Sequence, residues 1–236
     1  MSTILAIETS SELASAALLH GEQVYSTASS GVQTHSQSIL PMLQSLLLKA
    51  GITLGQCDAI AFGAGPGSFT GVRTACGIAQ GLAFGAGLPV VPVSTLMAMA
   101  QACRDQEPPQ QQAHDVLCIL DARMNEVYWA QYRYAGDWQT IIAPALSAAA
   151  EVRPQGDVIA CGNGLSAYAA AFETHNFAGP ARPTVMPHAI QIAQLARIAF
   201  QRGQAVSPHD AQPLYLRNKV ALTSAERALK NNQVPA

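Results

Sequence analysis

Three observations predict an α/β fold built from two copies of a β-β-β-α-β-α unit. Short apolar runs of strand length alternate with longer segments whose apolar residues recur at helical spacing. A polar, proline-containing stretch interrupts this series near the middle of the chain. Beyond it the same order begins again, in eroded form.

The first copy is read as follows. Thr3–Ile7 is an apolar run suited to a buried strand and ends in Glu8-Thr9-Ser10-Ser11. Ala14–Leu19 and Gln23–Ser29 flank His20-Gly21-Glu22, whose glycine supplies the positive φ of a hairpin. Ile39, Leu40, Leu43, Leu46, Leu47 and Ala50 predict a helix over 35–50, with Ser36 as its cap, Pro41 early enough to be tolerated, and Gly51 as its stop. Ala59–Phe62 is a strand, Gly63–Thr70 a loop, Gly71–Gly85 a helix and Pro89–Val93 a further strand. Ser94 or Thr95 then caps a helix reaching about Arg104.

Asp105–His114 is the linker, dividing the chain into lobes at 1–104 and 115–236. In the second lobe Val116–Leu120 is a buried strand ending in Asp121-Ala122-Arg123, and Glu126–Tyr134 alternates as a long strand. Gln139–Ile142 is a third strand, and Val158–Cys161 leads through Gly162-Asn163-Gly164 into a helix to about Phe172. A final helix over 188–203, with the extended tail at 207–218, is expected to pack back on the first lobe.

Composition narrows the function. Half the 236 residues are apolar and 12% are charged, which excludes a disordered chain. The formal charge is −2 with no Lys/Arg cluster, so nucleic acid would be held only with a partner's help. Cys57, Cys76, Cys103, Cys118 and Cys161 are spread singly and read as buried thiols. The start lacks a signal-peptide pattern, and the apolar stretch at 82–99 is broken by Gly and Pro, so a cytoplasmic protein without a membrane span is expected.

Gly63-Ala-Gly-Pro-Gly-Ser-Phe-Thr-Gly-Val-Arg73 is the most informative stretch. A glycine-rich turn opening a helix suits an anion, and Ser10, Gly65, Gly67 and Ser68 would be its contacts. Yet no Gly-Lys-Ser/Thr follows, and the spacing is not GxGxxG. Gly77, Gly81 and Gly85 continue every fourth residue, leaving a flat helical stripe that either packs on the chain's own sheet or receives another helix.

Local motifs carry a family resemblance. Ile-Leu-Ala-Ile-Glu-Thr-Ser at 4–10, His35-Ser-Gln37, Gly65-Pro-Gly-Ser-Phe-Thr-Gly-Val-Arg73, Val93-Ser-Thr-Leu96, Asp121-Ala-Arg-Met-Asn-Glu-Val-Tyr128 and Pro213-Leu-Tyr-Leu-Arg217 together resemble the TsaB (YeaZ) family, in the right order across nearly the whole chain. The two-copy architecture resembles the wider actin/sugar kinase/Hsp70 ATPase superfamily. The resemblance implies a bacterial factor for N6-threonylcarbamoyladenosine at position 37 of tRNA. It implies a non-catalytic paralogue of the transferase TsaD that binds TsaD and, with it, the ATPase TsaE. The helices at 35–50 and 71–85 would form that interface through Ser36, Ile39, Leu40, Leu43, Arg73, Thr74, Gly77, Ile78, Gly81 and Gly85, and the same face would allow a homodimer.

No catalytic residue and no metal ligand of this chain's own is expected. TsaD-like proteins carry a His-x-x-x-His pair where this sequence has Thr95 and Met99. His35-Ser36 reads as capping, since adjacent helical side chains point apart. Glu8 stands where the superfamily has Asp near phosphates and cation, and reads as part of a turn; ATP would bind weakly or only in the assembled complex. Asp121 and Arg123 read as a buried ion pair or a partner contact, and Tyr128, Trp129, Tyr132, Tyr134 and Trp138 as strand packing rather than RNA stacking. The competing expectations are an independent ATPase or kinase and a metallopeptidase.

Overall fold

Two sheets organise the chain in a computed structural model, which describes residues 2–30, 35–107, 115–177 and 179–217. The first sheet contains Ile4–Glu8 (β1), Leu13–His20 (β2), Gln23–Ser30 (β3), Ala59–Gly65 (β4) and Val90–Ser94 (β5), in the order β3-β2-β1-β4-β5. β1 runs antiparallel to β2 and parallel to β4. Its residues alternate between two cores, as a strand covered on both faces must. Leu5 and Ile7 face His35–Ala50 (α1) and Phe69–Ala86 (α2); Ile4 and Ala6 face Ala189–Gln201, the last helix.

The second sheet repeats the plan with Asp115–Asp121 (β6), Glu126–Tyr134 (β7), Trp138–Ala148 (β8) and Val158–Cys161 (β9), ordered β8-β7-β6-β9. β6 pairs antiparallel with β7 and parallel with β9, as β1 does with β2 and β4. The erosion is specific. A 3₁₀ turn at Ala149–Glu151 stands in the place of α1. Two one-turn helices, Gly164–Ala167 (α4) and Ala169–Phe172 (α5), stand in the place of α2. A single parallel bridge from Cys161 to Arg182 replaces the fifth strand.

Thr95–Asp105 (α3) and Ala189–Gln201 (α6) are exchanged between the copies. α3 follows the first sheet in sequence, yet Leu96, Met99, Ala100 and Cys103 pack on Val116, Cys118 and Leu120 of β6. α6 follows the second sheet, yet Ile192, Ala193 and Ala196 pack on the first. All five cysteines are buried. Among the described residues no helix is long and apolar enough to cross a membrane.

Several boundaries differ from the sequence reading. β4 continues through Gly63-Ala64-Gly65, so the glycine loop is shorter; Gly63 admits Glu8 at the end of β1, and Gly65 admits the tail at Leu214. α2 starts at Phe69 behind Ser68, whose Oγ accepts the Gly71 N–H at 3.4 Å. α1 begins at His35, so Ser36 lies inside its first turn rather than capping it. The helix expected to reach Phe172 breaks at Tyr168 (φ −130°, ψ 43°). β8 runs from Trp138 to Ala148, well beyond the short strand expected. Residues 108–114 of the linker and the tail from 218 lie outside the described residues.

Candidate functional site

At the C-terminal ends of β1 and β4 the glycines are occupied by the chain itself. A Cβ on Gly63 would overlap Glu8 Oε2, one on Gly67 would sit 2.5 Å from the Ser10 carbonyl oxygen, and one on Gly71 would lie 2.9 Å from the Thr9 carbonyl carbon. Gly65 (φ 101°) faces the Leu214 carbonyl oxygen at 3.0 Å from where its Cβ would be. The spacing that suggested an anion cradle is therefore the imprint of Glu8-Thr9-Ser10 and of the tail. Thr9 Oγ1 donates to the Gly71 carbonyl at 2.7 Å, and the Ser68 N–H, one of the donors a cradle would offer, goes to the Ser10 carbonyl at 2.7 Å.

Glu8 is fully buried. Its Oε1 accepts the Ser10 N–H at 2.5 Å, and Thr95 Oγ1 lies 3.5 Å from its Oε2. Burial pushes this carboxyl above its ordinary value, partly offset by those hydrogen bonds. The carboxyl is turned inward, toward Ser10 and Thr95, and Glu8 does not line the neighbouring cavity. Thr95 Oγ1 accepts the Gly65 N–H at 3.1 Å and lies 3.2 Å from Ser10 Oγ, while Met99 sits in the core between α3 and β6. Both residues at the positions of the missing histidine pair thus serve the fold.

A cavity of about 370 Å³ lies between the copies, bounded by the β1–β2 turn, the start of α2, the β6–β7 turn and the tail. Ser10, Gly67 and Ser68 line it; Gly65 does not. Asp121 and Arg123 are at its rim rather than forming a buried pair. Arg123 is 74% exposed, with Nη1 3.6 Å from Asp121 Oδ2 and Nη2 3.4 Å from Glu12 Oε1 across the cleft. Asp121 Oδ1 also accepts the Tyr168 hydroxyl at 2.9 Å, a contact that the reading of Asp121 with Arg123 did not include. Tyr128, Trp129 and Tyr132 are buried; Tyr134 and Trp138 are half-buried and pack edge to face, 5.3 Å between centroids.

The second candidate region is the outer face of α1 and α2. Ile39 and Leu43 are in the core beneath these helices, which removes them from the surface to which sequence reading assigned them. Amphipathic spacing identifies them equally well as core, and burial decides. Ile78 and Thr74 are half-buried, Arg73 and Leu40 are exposed, and the side chain of Ser36 lies outside the described residues. Gly77, Gly81 and Gly85 are exposed, and among the described residues a Cβ at any of them would meet nothing within 4 Å. Beside them Phe84 is 83% exposed, and Leu48 on α1 is 73% exposed; neither was singled out for this face from sequence. The stripe is not used for packing on the chain's own sheet.

Known proteins place this geometry in a family. The model of the family described as TsaD, tRNA N6-adenosine threonylcarbamoyltransferase, matches residues 22–230. The tRNA threonylcarbamoyladenosine biosynthesis protein TsaB of Haemophilus influenzae is 39% identical over 230 residues, covering 92% of this chain and 94% of that one. The Escherichia coli TsaB is 37% identical, covering 92% and 96%. The solved structure of YeaZ from Pseudomonas aeruginosa superposes with a TM-score of 0.83 at 38% identity, over 92% of this chain and all of that one. With identity at this level across almost its whole length and the same fold, the chain belongs to the TsaB (YeaZ) family of tRNA threonylcarbamoyladenosine biosynthesis proteins.

Proposed function

We propose that the chain is a non-catalytic subunit in the formation of N6-threonylcarbamoyladenosine at A37 of tRNA, and that it acts by docking TsaD on the outer face of α1 and α2. The observation that carries this reading is the open stripe of Gly77, Gly81 and Gly85. Each glycine inside a helix costs about 1 kcal/mol relative to alanine. No contact among the described residues uses the space they leave, so their use is close approach by a second helix, with Phe84, Leu40 and Leu48 as apolar contacts around it. TsaD suits as the partner because the family model of TsaD covers most of this chain, so a related fold offers a matching pair of helices. The same self-complementary argument gives a homodimer when TsaD is absent.

The chain then supplies surface rather than chemistry. Thr95, Met99 and Glu8 are committed internally, which supports a subunit that holds no metal and meets ATP only in the assembled complex with TsaE. A net charge of −2 favours contact with tRNA through the complex rather than alone, and its place is the cytoplasm where tRNA is modified. Light scattering after size exclusion with purified TsaD is expected to give a one-to-one complex. Gly81→Arg is expected to weaken that complex by about a hundredfold or more, since a long charged side chain would fill the closest approach. Its circular dichroism should keep the parent's shape and its melting temperature should not fall, since arginine is a better helix former than glycine; full retention of TsaD binding would overturn the proposed face.

A further inference from the structure

The tail from Ala211 to Arg217 has no regular secondary structure, yet it joins both halves of the molecule. Its first anchor is in the first copy. Ala211 is buried, its carbonyl accepts Gln80 Nε2 at 3.0 Å, and the Leu214 N–H donates to the Ala64 carbonyl at 2.7 Å. Its second anchor is on α2: Arg73 Nε donates to the Tyr215 hydroxyl at 2.7 Å, and the Arg73 guanidinium lies 3.6 Å over the Phe69 ring. Its third anchor is in the second copy. Arg217 Nη2 donates to Glu126 Oε2 at 2.5 Å and to the Ala122 carbonyl at 3.0 Å.

That last anchor straddles an unusual turn. Arg123, Met124 and Asn125 are three successive non-glycine residues with φ of 62°, 58° and 62°. Such backbone costs on the order of 1 kcal/mol per residue and persists only where neighbours hold it. Arg217 grips the residues on both sides of the turn, Ala122 and Glu126, and Nη1 touches Met124 Sδ. Between the anchors, Leu214, Tyr215 and Leu216 form a wall of the inter-copy cavity.

We propose that residues 211–217 are a latch. Closed, it walls the cavity, holds the 123–125 turn in its left-handed conformation and pins the first turn of α2 through Tyr215 and Arg73. Released at Arg217, it opens the cavity mouth and loosens the start of α2, the helix that carries the glycine stripe. The regulatory consequence, that latch state tunes partner docking, rests on the reading of α1 and α2 as the docking face. The latch itself does not, because it is tested in the free chain.

The test is amide hydrogen exchange of the full chain followed by mass spectrometry. Arg217→Gln removes the guanidinium, and with it the contacts to Glu126 and Ala122, while keeping an unbranched polar side chain. It is expected to raise exchange by about tenfold or more, the loss of the charge-assisted hydrogen bonds to Glu126 and Ala122, at 122–126, 214–217 and 69–73, with α6 and β2 unchanged. Tyr215→Phe, a change at a half-exposed ring, is expected to raise exchange at 69–73 alone. In the double variant, exchange at 69–73 should not exceed that of Tyr215→Phe, since one path carries both effects. A rise at 122–126 with 69–73 unmoved makes Arg217 a local staple and overturns the latch. A uniform rise through α6 and β2 makes the tail a piece of the core and overturns it too. The docking reading stands or falls separately, on complex formation with TsaD.

Discussion

Glu8 puts a carboxyl where the fold gains nothing from its charge. Its folded-state pKa is raised, chiefly by burial, so its contribution to stability is complete below the unfolded value near 4.5 and is lost as pH rises through the folded value. Glu8→Gln keeps the shape and the acceptor for the Ser10 N–H while removing the proton to be lost. Thermal melts should show Glu8→Gln more stable than the parent at pH 7–8, with the gain shrinking to nothing towards pH 4.5. An equal difference at both ends of that range would sink the assignment. Gly71 is the companion case: a methyl there would be driven into the Thr9 carbonyl, which is backbone and cannot swing aside. Gly71→Ala is expected to cost about 2–3 kcal/mol by overpacking, read as a lower denaturation midpoint. Here sequence reading had the right residues and the wrong occupant. A glycine pattern reports close approach, but not whether a ligand or a strand some 60 positions away does the approaching.

At the scale of elements, α2 carries two sets of glycines with opposite expectations. Gly71 is closed by the chain; Gly77 and Gly81 are open. Gly77→Ala and Gly81→Ala should each stabilise the free chain by up to about 1 kcal/mol, the intrinsic helix preference. The same two changes should weaken the complex with TsaD, because each adds a methyl at the proposed approach. A Gly81→Ala chain that is no more stable than the parent would mean the stripe is already packed in solution, as in a homodimer. α6 offers a pH test. His188 caps it, with Nδ1 accepting the Ile190 N–H at 3.2 Å, and burial lowers the His188 pKa. A lowered histidine stabilises fully above the unfolded value near 6.5 and less as pH falls below it. The parent should therefore lose more stability than His188→Asn between pH 7.5 and 5.5, since asparagine caps without titrating. The strands and the three long helices of the first copy were legible because each keeps one strong period: Ile39, Leu43 and Leu46 mark α1 without help from the rest of the fold. The second copy was less legible, because α4 and α5 are single turns whose helicity comes from packing Leu165 and Phe172 on β6 and its neighbours.

At the scale of the molecule, the sequence suggested two lobes divided near residue 104, and the packing joins them more tightly than a linker would. α6 covers the face of the first sheet opposite α1 and α2, and α3 covers the second sheet, so each half of the chain supplies a layer of the other's core. A buried Ile or Leu contributes roughly 1.5–3 kcal/mol relative to exposure. Stripped of α6, residues 1–104 would expose the surface that buries Ile192 and Leu195 and would leave Leu96 and Met99 of α3 in water. Those losses are comparable to the whole stability of an ordinary domain. Sequence reading expected the 188–203 helix to return to the first lobe but not α3 to cross to the second sheet, since periodicity identifies a helix's apolar face and not which sheet receives it. The expected outcome is that the fragments 1–107 and 108–236, expressed separately, give no cooperative thermal transition, while co-expressed they purify together and melt as one. The intact chain should show a single transition with equal calorimetric and van't Hoff enthalpies. A fragment 1–107 that is monomeric and melts sharply by itself would mean that α6 decorates the first sheet rather than completing it.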